Sequence, residues 1–172
     1  MNIDAPIHPE WKNSFNKIPS SLLSLTFTLI LIKINMERRD YIVDEIQKFG
    51  QMVLGLIGKL AQSKKSQQYD FSLSMADLEF ESEAGFTLKM LMEMDSKNLE
   101  AFLANHHELN SENIELLADL LIEISDDPGV VPQLSLARAR ELLQYVDVKE
   151  RTYAIERAGK LDFIEGKIRD IS

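Results

Sequence analysis

Cysteine is absent from this chain of 172 residues. Disulfide bonds, thiolate nucleophiles, and zinc or iron–sulfur sites with cysteine ligands are therefore excluded. The absence fits a reducing compartment, and we expect a cytoplasmic protein.

Histidine is nearly absent, with three residues in the chain, His8, His106 and His107. Two adjacent residues project about 100° apart from a regular helix, so His106 and His107 cannot converge there on one metal ion. The sequence contains no His-x-x-x-His or Glu-x-x-His spacing, which zinc and di-iron sites on helices require. We therefore predict no metal site and no cofactor.

Positive charge is scarce in the middle of the chain. Residues 70–127 carry fifteen acidic residues against Lys89 and Lys97, a net charge of −13, whereas the whole chain carries −9. Such a block repels phosphate groups and anionic lipids, so we expect no binding to nucleic acid or to a membrane surface. Two interpretations of the block stay open: a solvated acidic face, or a surface for a basic partner.

Motifs for phosphate and calcium binding fail at their essential positions. After Gly50 and Gly55, a phosphate-binding loop needs Lys and Ser or Thr, but Leu56-Ile57 follows. The acidic run 77–83 places Ser82 where a calcium loop needs glycine, and Leu88 where it needs glutamate.

No residue is therefore predicted to be catalytic, cofactor-binding or metal-binding. The alternative is an enzyme or small-ligand-binding protein whose site forms between helices, with Glu79, Glu83, His106 or His107 as candidates. A buried pocket lined by several of them would support that alternative.

The first 35 residues differ from the rest, with five charged residues against 42 in the following 137. The uncharged window between Lys17 and Lys33 is shorter than the about 20 apolar residues of a membrane span. Because the composition changes at Met36, we predict that 1–35 is a poorly structured extension and that the natural chain starts at Met36. A weak strand or loose helix packed on the body, or an anchor over 18–34, are the alternatives.

Residues 36–172 are predicted to form one helical domain. The clearest helical spacing is a stripe of six apolar residues in steps of four and three: Ile42, Ile46, Phe49, Val53, Leu56 and Leu60. Residues 63–68 are predicted to be a polar linker, and Gly85 to divide two helices within 71–94. Those helices are expected to bury Phe71, Met75, Leu78, Phe86, Met90, Leu91 and Met94.

The C-terminal half carries clear boundary signals. Asp95 and Asn110 are predicted helix N-caps, and a turn over 126–129 precedes a helix whose first turn contains Pro132. The last helix is expected to bury a stripe of six residues: Ile155, Ala158, Leu161, Ile164, Ile168 and Ile171. Since no long alternating run follows residue 36, the predicted fold is all-α, an antiparallel helical array or irregular bundle.

Three stretches together resemble an uncharacterised bacterial family of tetratricopeptide-like helical proteins. They are the opening Met36–Ile46, the helix pair over 111–146 and the segment Arg151–Arg157. The resemblance covers residues 36–170 and implies a tetratricopeptide-like helix pair in the C-terminal half. It carries no activity that could be transferred to this chain.

The expected function is a non-catalytic helical module for protein–protein interaction. Helix pairing, the lack of chemical motifs and a methionine-rich stretch motivate it; methionines form adaptable binding surfaces, although they also serve as ordinary core residues. The four methionines in question are Met75, Met90, Met92 and Met94. We expect the partner to be another protein or a second copy of the chain.

Overall fold

The computed structural model describes residues 20–66 and 73–171, and side chains from 28 onwards within them. Within these ranges the chain forms seven α-helices and no strand, which confirms the all-α prediction. The helices are α1 (Ser20–Ser66), α2 (Leu73–Ala84), α3 (Leu88–Glu93), α4 (Ser96–Asn105), α5 (Ser111–Ile124), α6 (Pro132–Glu150) and α7 (Ile155–Asp170).

The chain divides into two compact units, Met1–Tyr41 and Ile42–Ser172. In the first unit, every described side chain from 28 to 41 is exposed, including a series of apolar ones: Leu29, Ile30, Leu31, Ile32, Ile34 and Met36. Residues 1–19 of the predicted extension lie outside the described residues, and residues 20–35 belong to α1. Among the described helices, none combines the length and apolarity needed to cross a membrane.

In the second unit, the predicted stripe on α1 becomes the buried face of that helix. Phe49, Val53, Leu56 and Leu60 are buried in the core, whereas Ile42 and Ile46 are half-buried. The prediction of a linker from residue 63 was wrong for residues 63–66, which continue the helix. Lys64 secures this last turn by donating to the backbone oxygen of Glu123 at 2.9 Å and to its carboxylate at 2.7 Å.

Gly50 allows α1 to lie close to the start of α5. The Asn113 amide donates to the backbone oxygens of Ile46 at 2.8 Å and of Glu108 at 2.7 Å. A Cβ atom at Gly50 would lie 2.7 Å from Asn113 Oδ1, which is closer than non-bonded contact allows. Around Gly55, by contrast, a Cβ atom would meet nothing within 4 Å.

We therefore expect Gly50→Ala and Gly55→Ala to change stability in opposite directions. Gly55→Ala should stabilise the protein by up to about 1 kcal/mol because alanine is the better helix former. Gly50→Ala should cost about 1 kcal/mol net, because displacing the Asn113 side chain breaks its two part-buried hydrogen bonds. Urea unfolding of both variants, followed by circular dichroism, measures this; stabilisation by both substitutions would contradict the close approach.

Helices α2 to α4 follow the predicted boundaries. Gly85 has a φ of +72°, the left-handed conformation that favours glycine, and separates α2 from α3. Asp95 caps α4 by accepting from the backbone N–H of Lys97 at 3.1 Å. The expected inward positions of Met75, Leu78 and Met90 were wrong, since these side chains are exposed. The short α2 instead buries Ala76 and Phe80.

The predicted helix pair of the C-terminal half is present as α5 and α6. Asn110 caps α5, the turn over 126–129 follows it, and Pro132 occupies the first turn of α6. The two helices pack antiparallel through a face that includes Leu117, Leu121, Leu136 and Leu143, all buried. This pair is the most extensive helix–helix contact in the described part of the chain.

Helix α7 packs only in part as predicted. Of the six residues expected to face the core, Ile164 is buried and Ala158, Leu161 and Ile168 are half-buried, whereas Ile155 is 81% and Ile171 is 38% exposed. The buried residue of its first turn is Arg157, which is 3% exposed.

The ion pairs between α5 with its following turn and α7 join Glu115 to Arg157, Asp119 to Lys160 and Asp126 to Lys167. Because residue numbers increase together in these pairs, α7 runs parallel to α5. Charged side chains therefore hold α7 in place along with apolar packing.

Candidate functional site

Five of the fifteen acidic residues of the block 70–127 form ion pairs within the described part of the fold, and one of these pairs joins Glu79 to Lys59. Four acidic residues of α5 and the turn after it pair with basic residues of α7 and α1. The pairs are Glu115 with Arg157 at 2.6 Å, Asp119 with Lys160 at 2.7 Å, Asp126 with Lys167 at 2.7 Å, and Glu123 with Lys64 at 2.7 Å. Each of these carboxylates has a basic partner within the fold, although the side chains of Glu123 and Asp126 remain 46% and 59% exposed.

Arg157 is the most heavily bonded of these basic residues. Its guanidinium donates to Glu115 Oε1 at 2.6 Å, to Asp147 Oδ1 at 2.6 Å and to Glu150 Oε2 at 2.9 Å. It also reaches the backbone oxygen of Thr152 at 3.4 Å. One buried cation therefore joins α5, the end of α6 and the start of α7.

The pKa values of Arg157 and Glu150 are both shifted so that the charged form of each group is favoured. The hydrogen bonds that Arg157 donates to the carboxylates of Asp147 and Glu115 raise its pKa against the opposing effect of burial. The pKa of Glu150 is lowered, first by a hydrogen bond with Ser111 and then by Arg157. The stability that ionised Glu150 contributes is therefore present at neutral pH and is lost as the pH falls through its lowered pKa.

A cleft of about 600 Å³ lies between α2, α3 and the start of α6, and we call it the α2–α6 groove. Twelve residues line it: Leu73, Ser74, Asp77, Lys89, Met92, Glu93, Asp127, Pro128, Gly129, Val130, Val131 and Leu134. Val131 and Leu134 remain 54% and 44% exposed, so the groove presents apolar surface to solvent.

Charge in the α2–α6 groove is predominantly negative. Asp77, Glu93 and Asp127 line it together with one cation, Lys89. Asp77 Oδ1 accepts from the backbone N–H of Lys89 at 3.2 Å. Desolvation by burial raises the pKa of Asp127, and Lys64 offsets this only in part. The fold therefore holds an incompletely compensated carboxylate at the wall of the groove.

Val131, at the rim of the groove, is an unfavourable residue for the N-cap position that it occupies. It is the N-cap residue of α6, and no side chain caps this helix. Serine, threonine, aspartate or asparagine at an N-cap stabilises a helix by about 1 kcal/mol relative to an aliphatic residue. The chain therefore carries an exposed apolar side chain at a position where a polar one would stabilise the fold.

A second cleft, of about 430 Å³, lies between α4 and α6 and is lined in part by Leu99, Tyr145 and Val148. Its polar wall is already occupied by internal contacts. Glu141 accepts from Arg138 at 2.6 Å and from Ser96 Oγ at 2.7 Å. A ligand would have to compete with these hydrogen bonds.

A third cleft, of about 500 Å³, lies on the other side of the α5–α6 turn, against the end of α7. Lys167 and Asp126 meet there at 2.7 Å, so these charges are likewise paired. Of the three clefts, the α2–α6 groove has the largest volume and the least compensated charge.

The four residues named for the enzyme alternative lie outside the linings of these clefts. Glu79 pairs with Lys59 at 3.1 Å, whereas Glu83 and His107 are exposed. His106 stacks on Phe102 with ring centroids 4.1 Å apart, and its Nδ1 lies 2.8 Å from the backbone oxygen of that residue. Each is accounted for by local packing or solvation.

Sequence reasoning missed the α2–α6 groove because its lining comes from three separate parts of the chain. The four methionines give a partial signal: Met92 lines the groove, whereas Met75 and Met90 are exposed elsewhere on α2 and α3. The turn over 126–129 was predicted, but its position as a wall of the groove was not.

Comparisons of the chain with models of known families, with curated proteins and with solved structures find no match.

Proposed function

We propose that the protein is a non-catalytic helical module that binds a segment of another protein in the α2–α6 groove. The observation that carries this proposal is the exposed apolar rim of the groove, formed by Val131 and Leu134. An apolar cleft of several hundred Å³ with a few polar groups is typical of binding sites. The tetratricopeptide-like resemblance is part of the same proposal.

The N-cap of α6 strengthens the proposal. A binding surface keeps residues that the fold alone would not favour, because contacts with a partner select them. Val131 is such a residue, since it is exposed and leaves the helix uncapped. Its replacement by serine is therefore expected to stabilise the protein and to weaken binding, which a general loss of structure could not do.

The test uses peptides selected from a random-peptide display library against the intact protein. We expect the double variant Val131→Ser/Leu134→Ala to bind the selected peptides at least about tenfold more weakly, because two apolar contacts are lost. Fluorescence anisotropy with labelled peptides measures the affinity. Thermal unfolding should give a melting temperature that is not lowered, because the serine cap offsets the truncated leucine.

The matched control is Ala154→Ser/Ile155→Ala at the start of α7. Ala154 is also an N-cap without a side-chain hydrogen bond, and Ile155 is an exposed aliphatic residue. This pair of changes lies outside the lining of the groove, so the peptides should bind the control variant as they bind the unmodified protein. Equal weakening by both variants, or by neither, would refute the groove as the binding site.

A further inference from the structure

We propose that the segment bound in the α2–α6 groove is a basic amphipathic one, with apolar residues that contact the rim and Lys or Arg side chains that contact Asp77, Glu93 and Asp127. This inference rests on the proposed function and adds the chemistry of the partner. Its basis is charge complementarity together with the apolar rim of the same cleft.

The acidic residues around α5 and those of the α2–α6 groove differ in their pairing with basic side chains. The carboxylates of Glu115, Asp119, Glu123 and Asp126 are within 2.7 Å of basic side chains of the same chain. Among the described residues, the three carboxylates of the groove form no ion pair with a basic side chain, although Asp77 accepts a backbone hydrogen bond from Lys89, the one basic residue of the lining. An approaching cation would therefore find uncompensated negative charge there.

Asp127 is half-buried in the wall of the groove, next in the chain to the residues that lead to the apolar rim. Partial burial raises the pKa of its carboxylate, because desolvation disfavours the ionised form. A guanidinium or ammonium group beside it would supply the compensating charge that Lys64 supplies only in part. The apolar residues Val130 and Val131 follow within the same turn, so charge and apolar contact are offered side by side.

An acidic partner and a nucleic acid are disfavoured by the same charges. Three carboxylates against one ammonium group repel phosphate and carboxylate ligands. An uncharged apolar segment would contact the rim. It would also remove water from the Asp127 carboxylate without supplying a cation, which costs free energy. A basic amphipathic segment satisfies both parts of the lining.

The experiment uses two amphipathic helical peptides with identical leucine positions, one with lysine and one with glutamate at every polar position. We expect the lysine peptide to bind the intact protein at least about tenfold more tightly than the glutamate peptide. The variant Asp77→Asn/Glu93→Gln/Asp127→Asn should lose most of this preference while keeping the shape of the groove.

The control variant, Glu81→Gln/Glu83→Gln/Glu112→Gln, removes the same number of charges at exposed positions outside the lining of the groove. Its affinity for the lysine peptide should fall by less than about twofold at physiological salt, where distant surface charges are screened. An equal fall in both variants would show that only the overall charge of the protein matters, and would overturn the inference.

Two further outcomes separate the inference from the proposed function. If both peptides bind equally and Val131→Ser/Leu134→Ala abolishes binding, the groove is a binding site but its partner is not basic, and the inference is overturned alone. If neither peptide binds and the display-selected peptides ignore the groove substitutions, both the inference and the proposed function fail.

Discussion

Replacing Arg157 with alanine is expected to lower the free energy of unfolding by about 3–5 kcal/mol. The guanidinium is 3% exposed and lies within 2.9 Å of oxygens from Glu115, Asp147 and Glu150. Its removal leaves three carboxylates facing one another without a cation in a partly desolvated position. Urea unfolding followed by circular dichroism measures the change.

Arg140→Ala is the matched control for this prediction. Arg140 pairs with Glu165 at 3.0 Å, but its side chain is 35% exposed and that of Glu165 is 50% exposed. An exposed pair of this kind contributes about 0–1 kcal/mol. If Arg157→Ala costs no more than Arg140→Ala, the buried cation does not join α5, α6 and α7 as described.

Phe86→Ala is expected to lower the free energy of unfolding by about 3–5 kcal/mol, since it opens a cavity in an aromatic cluster. The Phe86 ring is 2% exposed and lies 5.5 Å from that of Phe80 and 5.1 Å from that of Phe102, centroid to centroid. Phe49 and His106 complete the cluster, which joins α1, α2 and α4. Urea unfolding followed by circular dichroism measures the loss of free energy.

Phe163→Ala removes the same side chain from an exposed position and is the control. Phe163 is 52% exposed, and Lys167 Nζ lies 5.5 Å from its ring centroid. Its loss should cost about 1 kcal/mol or less. A larger loss for Phe163→Ala than for Phe86→Ala would contradict the position of the core.

Local boundaries were the most predictable part of the fold, because they depend on neighbouring residues. The caps at Asp95 and Asn110, the break at Gly85 and the placement of Pro132 all follow from side-chain and backbone chemistry within a few residues. These signals predict where a helix begins or ends without knowledge of what it packs against.

Long-range contacts decided the features that the sequence did not predict. Helix α1 continues past residue 63, where Lys64 reaches Glu123 on α5. Apolar spacing favoured Ile155 as a buried residue of α7, whereas Arg157 is buried instead because three carboxylates from elsewhere in the chain surround it. Periodicity records only which side chains are apolar, so it cannot show that a charged one is compensated on burial.

The site was less predictable than the fold. The acidic block 70–127 indicated a surface for a basic partner as one of two interpretations, but neither its composition nor its spacing separates paired from unpaired carboxylates. That distinction depends on basic residues of α1 and α7, which approach α5 only in the folded chain. The groove therefore becomes visible only once the helices are packed.

The central claim, that the α2–α6 groove is a binding site for a protein segment, is tested most directly by methyl NMR spectroscopy of the intact protein with a display-selected peptide. We predict that the methyl resonances of Leu73, Val130, Val131 and Leu134 shift on titration, whereas those of Leu99 and Val148 in the α4–α6 cleft stay in place. Shifts confined to Leu99 and Val148, with the groove methyl groups unchanged, would contradict the account.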